Sequence, residues 1–127
     1  MILVLIVGCG QGYVEQTDKF AAQVKSSVNP DELQSWATNL IAKTPVSSPG
    51  GVEEKDVPNY VRAIYKDDPP EFVEIQHGDG GSYVQIAYGS GFGHWGLYVG
   101  FTNLEMKSDE NFYVVQWKPG IFFWNGP

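Results

Sequence analysis

The sequence predicts an α+β fold, with two or three N-terminal helices packed on a C-terminal antiparallel sheet of four to five strands. Three observations predict it. In the first half, apolar residues recur with the spacing of one helix face. From Glu71 onward the period becomes two, and glycines and prolines punctuate the chain at short intervals. The connections between those later strands are short, which favours antiparallel neighbours in a meander. The chain has 127 residues, the size of one domain.

The best-defined helix starts at Asn29-Pro30-Asp31-Glu32. Asn29 can cap, Pro30 suits the first turn, and Glu32 is placed for a capping box. Leu33, Trp36, Ala37, Leu40 and Ile41 then form a one-sided apolar stripe. Lys43 belongs to the last turn, and Pro45 ends the helix. Trp36 lies in the stripe and is therefore a core residue. An earlier helix is expected over Thr17–Ser26, with Phe20, Ala21 and Val24 on one side. Thr44–Gly51 is a Pro/Ser/Gly loop. Val57, Tyr60, Val61 and Ile64 have helical spacing, so Asp56–Tyr65 is expected to be a short helix with Pro58 in its first turn.

The expected strands are Phe72–Gln76, Tyr83–Tyr88, Trp95–Phe101, Phe112–Trp117 and Ile121–Trp124. The first two are joined by a glycine-rich hairpin loop from His77 to Ser82. Lys118-Pro119-Gly120 suits a type II turn, with proline at its second position and glycine at its third. Thirteen of the 18 aromatic residues lie in 71–127, so both faces of the sheet must carry some. On the third strand Trp95, Leu97, Val99 and Phe101 share one face, and Gly96, Tyr98 and Gly100 share the other. Glycines inside a strand mark a bulge, an overlying aromatic, or close approach of backbone or ligand. Packing of Trp36 or a cross-strand aromatic there is one reading of Gly96, Tyr98 and Gly100. A stacking platform for a sugar ring is the other, and with it His94, Trp95, Gly96, Tyr98 and Gly100 form the candidate ligand or packing face.

The net charge of −7 excludes simple electrostatic binding to a phosphate backbone. Residues 51–80 carry eight acids against three bases, which supplies −5 of that charge. This reads as a solvated acidic surface, because no run has the alternating oxygen ligands and glycine turn of a calcium loop. The single cysteine, Cys9, rules out a disulfide within the chain and a cysteine-based structural zinc site. His77 and His94 lack a ligand pair at close spacing, so neither they nor nearby Glu74 and Asp79 make a zinc motif. No stretch is long and apolar enough for a transmembrane helix.

Near the N-terminus, Ile6-Val7-Gly8-Cys9 resembles the lipobox of bacterial lipoproteins, where a short aliphatic pair and a small residue precede an acylated cysteine. The resemblance implies cleavage before Cys9 and a lipid on its thiol and amine. A secretory signal needs a basic start and roughly 7–15 apolar residues. Here no Lys or Arg precedes Cys9, and the apolar run spans only Ile2 to Val7. The expectation is therefore a clipped signal over residues 1–9 whose true start lies upstream, a short tether over 10–16, and a single α+β domain within 10–127. Two other readings of this segment are a plain core strand and a strand entering a phosphate-binding loop at Gly8, Gly10 and Gly12. The latter requires a following helix and an acidic residue ending a second strand about 20 residues on. No second strand is seen in that window.

Gly91-Phe92-Gly93-His94-Trp95-Gly96 matches GxGxxG but lies between strands, so it reads as a strand connection. Ser90 is flanked by glycines without forming the GxSxG pattern of a nucleophile elbow. His94-Trp95-Gly96-Leu97-Tyr98-Val99-Gly100 resembles the histidine strand of the NlpC/P60 cysteine peptidases. That resemblance implies helices followed by a sheet, a cysteine nucleophile at an upstream helix start, His94 as its base, and cleavage of peptidoglycan peptides. The helix beginning Asn29-Pro30-Asp31 contains no cysteine, and a histidine without a thiolate has nothing to activate.

The sequence thus favours a non-catalytic, lipid-anchored domain of the bacterial cell envelope, with no cofactor or metal and a protein or glycan partner. A degenerate NlpC/P60-like hydrolase around His94 and a cytoplasmic domain are the alternatives.

Overall fold

Asn29 turns the chain between two helices. Its side-chain oxygen accepts hydrogen bonds from the backbone N–H groups of Asp31 (2.9 Å) and Glu32 (3.2 Å). These satisfy two of the donors that a helix start leaves unpaired. The computed structural model describes residues 2–45, 50–65, 68–89 and 93–127, with side chains in the first helix from Gly12 onward. Its helices are α1 (Ile2–Ser27), α2 (Pro30–Lys43) and α3 (Asn59–Arg62), and its strands are β1 (Gly50–Gly51), β2 (Phe72–Gly78), β3 (Gly81–Tyr88), β4 (His94–Gly100), β5 (Tyr113–Lys118) and β6 (Ile121–Gly126).

The predicted α+β architecture is observed. The helices come first and pack on an antiparallel sheet of six strands in the order β1-β2-β3-β4-β6-β5. Two details extend the expected meander. A two-residue strand, β1, pairs with β2 at Gly50↔Ile75 and Gly51↔Glu74. The last two strands exchange places, because β6 rather than β5 pairs with β4. The chain leaves β4, runs past the position β6 will fill, forms the outer strand, and returns through Pro119-Gly120. Gly120 has φ +86°, which supports the expected proline–glycine turn.

Apolar alternation gives the sheet two cores. On one face, Phe20 and Val24 of α1 and Leu33 and Ala37 of α2 bury against Val84, Ile86, Leu97, Val99, Ile121 and Phe123. The other face buries Ala87, Tyr98, Phe122 and Trp124 beneath Leu104. Among the described residues no helix contributes to that second core: the connection after β4 folds back over the sheet and brings Leu104, Met106 and Phe112 with it. Gln34 ties α2 to the opposite end of the sheet, donating from Nε2 to the carbonyls of Gly100 (2.9 Å) and Pro119 (2.8 Å).

Two helices differ from expectation. The predicted Thr17–Ser26 helix is part of the longer α1, so residues 8–12 are helix interior, neither a core strand nor a phosphate loop. The predicted Asp56–Tyr65 helix is reduced to a 3₁₀ turn at Glu54–Asp56 and the single turn of α3. Side-chain bonds account for its early end. Tyr88 Oη donates to the carbonyl of Val61 at 2.7 Å, and Gln23 Nε2 donates to that of Ile64 at 2.5 Å. Both draw the chain out of helical register toward the sheet and α1. Trp36 is only partly buried; its Nε1 donates to the carbonyl of Asp56 at 2.9 Å, pinning the same segment from α2.

Candidate functional site

Five of the residues singled out by sequence lie on β4, and the strand divides them between the two faces. Trp95 points to the helix side, where its Nε1 donates to Tyr65 Oη at 2.9 Å. Gly96, Tyr98 and Gly100 face the other way, and alternation places His94 with them. Phe101, expected beside Val99, lies one residue past β4 and is 46% exposed.

The Tyr98 side is covered. Tyr98 retains 7% of its surface, stacks on Trp124 with ring centroids 5.5 Å apart, and meets Tyr83 edge-on at 5.1 Å. Burial pushes its phenol pKa up, and the nearby Tyr83 and Asp109 add to the rise. The glycines serve close approach. A Cβ on Gly96 would lie 1.8 Å from the carbonyl oxygen of Ile86 on β3, and one on Gly100 would lie 2.7 Å from that of Ser82. Leu104, not Trp36, is the side chain over Gly100. A sugar ring has no open aromatic face to meet at Tyr98.

His94 Nε2 lies 3.0 Å from a carboxylate oxygen of Glu71, and its ring is 6.4 Å from that of Phe72. Glu71 immediately precedes β2 and Phe72 opens it, so His94 joins two strand ends across β3. The helices pack on the opposite face. A cysteine peptidase needs its thiolate and histidine within hydrogen-bond reach, and a nucleophile at the start of α2 would have the whole sheet between it and His94. The Cys9 side chain lies outside the described residues, as do Ser90, Gly91 and Phe92. His77 belongs to the helix side by the same alternation, and its Nδ1 is 2.6 Å from Ser82 Oγ. The two histidines therefore face away from each other, and among the described residues no three His, Cys, Asp or Glu side chains are grouped to hold a metal.

Sequence reasoning missed a cleft of about 260 Å³ where the chain before β2 meets the segment between β1 and α3. Among the described residues its lining includes Val52, Val57, Pro69, Pro70 and Val73, with Arg62 and Glu54 as charged groups. Arg62 Nη2 donates to Asn59 Oδ1, and Nη1 is 3.8 Å from Glu54. Arg62 Nε is buried and has no partner among the described residues. The available signal was a lone arginine in an acidic segment, close ahead of Pro69-Pro70.

The exposed edge of the sheet is also guarded. Ser108 Oγ accepts from the N–H of Val114 (2.8 Å) and donates to its carbonyl (3.0 Å), occupying polar groups that β5 would otherwise present to another strand. No protein-family model matches the chain, and neither a curated protein nor a solved structure matches it.

Proposed function

We propose that this chain is a non-catalytic domain of the bacterial cell envelope, tethered by lipid at Cys9, with a binding or structural role. The observation that carries the reading is the way α1 enters the domain. Among the side chains described, the first fully buried one is Thr17, whereas Gly12, Tyr13, Glu15 and Gln16 are exposed. From Cys9 to Thr17 the helix rises about 12 Å at 1.5 Å per residue. This gives a short, stiff spacer between the lipobox-like cysteine and the packed fold. The Ile6-Val7-Gly8-Cys9 resemblance supports the tether, and the position of His94 on the sheet face away from the helices argues against a Cys–His hydrolase.

Fractionation of cells expressing the native gene tests the address. The wild-type protein should sediment with membranes and require detergent for release. Cys9→Ser should move to the soluble fraction with its fold intact. Identical partitioning of the two proteins would overturn the tether.

A further inference from the structure

We propose that a shallow cleft between α2 and the chain leaving β4 binds a pyranose ring of a neutral glycan. On α2, Asp31, Gln34, Ser35 and Thr38 recur at i, i+3, i+4 and i+7, which sets them along one side of the helix. Phe101 and Thr102, just past the end of β4, form the facing wall. The space between them is about 320 Å³, at the lower end of the range for ligand sites. Phe101 is 46% exposed, more than any other large apolar side chain among the described residues.

The hydrogen bonds already made decide what the lining can still offer. Gln34 gives both Nε2 hydrogens to carbonyls, those of Gly100 and Pro119, which fixes the amide and leaves Oε1 as an open acceptor. Thr38 spends its hydroxyl hydrogen on the Gln34 carbonyl at 2.8 Å, so its oxygen can only accept. Asp31 adds a carboxylate, and its side chain forms no ion pair among the described residues. A ligand for this cleft must therefore bring donors, and an apolar face for Phe101. An anion would meet acceptors and a like charge. A cation brings donors, but the positive N-terminal end of α2 lies beside Asp31 and offsets its charge. A pyranose brings hydroxyl donors round its rim and C–H groups on its face, with no charge to desolvate. This ligand class rests on the binding role proposed above and not on the lipid tether.

The experiment is an amide NMR titration of the full chain with cellobiose, whose equatorial hydroxyls leave a flat C–H face, and with its fully O-methylated form. Cellobiose should cause saturable shifts centred on the amides of Asp31, Gln34, Ser35, Thr38, Phe101 and Thr102. O-methylation keeps the C–H face but removes the donors, and should abolish the shifts. Phe101→Ala should weaken binding about three- to tenfold, and Phe101→Tyr, which keeps a ring, should restore it. Asp31→Ala should weaken it at least about tenfold, the equivalent of one charge-assisted contact. Cys9→Ser should bind like the wild type, so loss of the tether would leave this result untouched. Absence of saturable shifts at these amides in the wild-type chain would overturn the proposal, as would equal affinity for the methylated sugar or wild-type affinity in a folded Phe101→Ala or Asp31→Ala chain. Tighter binding of Nα-acetyl-lysine methylamide at the same amides would assign the cleft to a cation and overturn it as well.

Discussion

Tyr98 lies flat against Trp124, with ring planes 15° from parallel, and the pair forms the centre of the core on the face away from the helices. Phe112 meets Trp124 edge-on at 6.2 Å, which extends the aromatic contact to the chain entering β5. This second core depends on a loop for its cover, so its energetics differ from those of a helix-covered face. Trp124→Ala should destabilise the domain by about 3–5 kcal/mol, the usual range for emptying such a site. Tyr98→Phe should cost under about 1 kcal/mol, since it keeps the stacked ring and its hydroxyl makes no hydrogen bond among the described residues. Urea unfolding of the two variants checks the contrast; equal losses would show that the hydroxyl carries the contact.

Gly96 tests the tight approach of β3 and β4. Ala87 is its partner in the ladder, and an added methyl would collide with the Ile86 carbonyl, a backbone atom that cannot swing aside. Gly96→Ala should cost about 1–3 kcal/mol or more by overpacking, and should broaden amide resonances of both strands. A variant as stable as the wild type would mean that the strands separate freely there.

Tyr88 should reveal the tie between the sheet and α3. Its hydroxyl is buried, and Tyr88→Phe would leave the Val61 carbonyl without that donor. The expected loss is about 1–3 kcal/mol, accompanied by faster amide exchange from Val61 to Ile64. Unchanged exchange would place the hold on α3 elsewhere, with Gln23 as the next contact to examine.

Alkaline stability follows from the same buried phenols. Burial raises the pKa of Tyr88 and Tyr98 above the ordinary 10.0; the neighbouring Tyr65 adds to the first shift, and Tyr83 and Asp109 add to the second. The folded state therefore holds these protons more tightly than the unfolded chain. Their contribution is fully present below pH 10 and is lost as pH rises through and beyond that value. Phenolate absorbance from these two residues should appear together with the loss of circular dichroism. Their ionisation near pH 10 in a chain that remains folded would contradict the burial argument.

The parts of this fold legible in the sequence are those with a local physical signal. Asn29 caps α2 because its short side chain reaches the next N–H groups, and Pro119-Gly120 turns because those residues favour the required angles. The placement of β6 between β4 and β5 has no such signal. Alternation assigns Phe122 and Phe123 to opposite faces, but it does not choose the neighbouring strand. The extent of α1 was hidden for a different reason: Ile2–Val7 is uniformly aliphatic and displays no period. β1 consists of two glycines and offers no side-chain pattern. For the candidate site, alternation separated Trp95 from Gly96, Tyr98 and Gly100, yet it could not reveal that Leu104 would cover them. The Arg62 cleft joins residues on either side of α3 with the start of β2, so no short motif records it.

We propose Cys9 as the point of attachment, with the packed domain beyond it. Intact mass spectrometry of the mature protein, produced in a bacterial host from its native gene, tests this most directly. The expected product is a chain starting at Cys9 with a diacylglyceryl thioether and an acylated amine, both absent when Cys9→Ser is expressed. A chain that retains the residues before Cys9 and carries no lipid would contradict it.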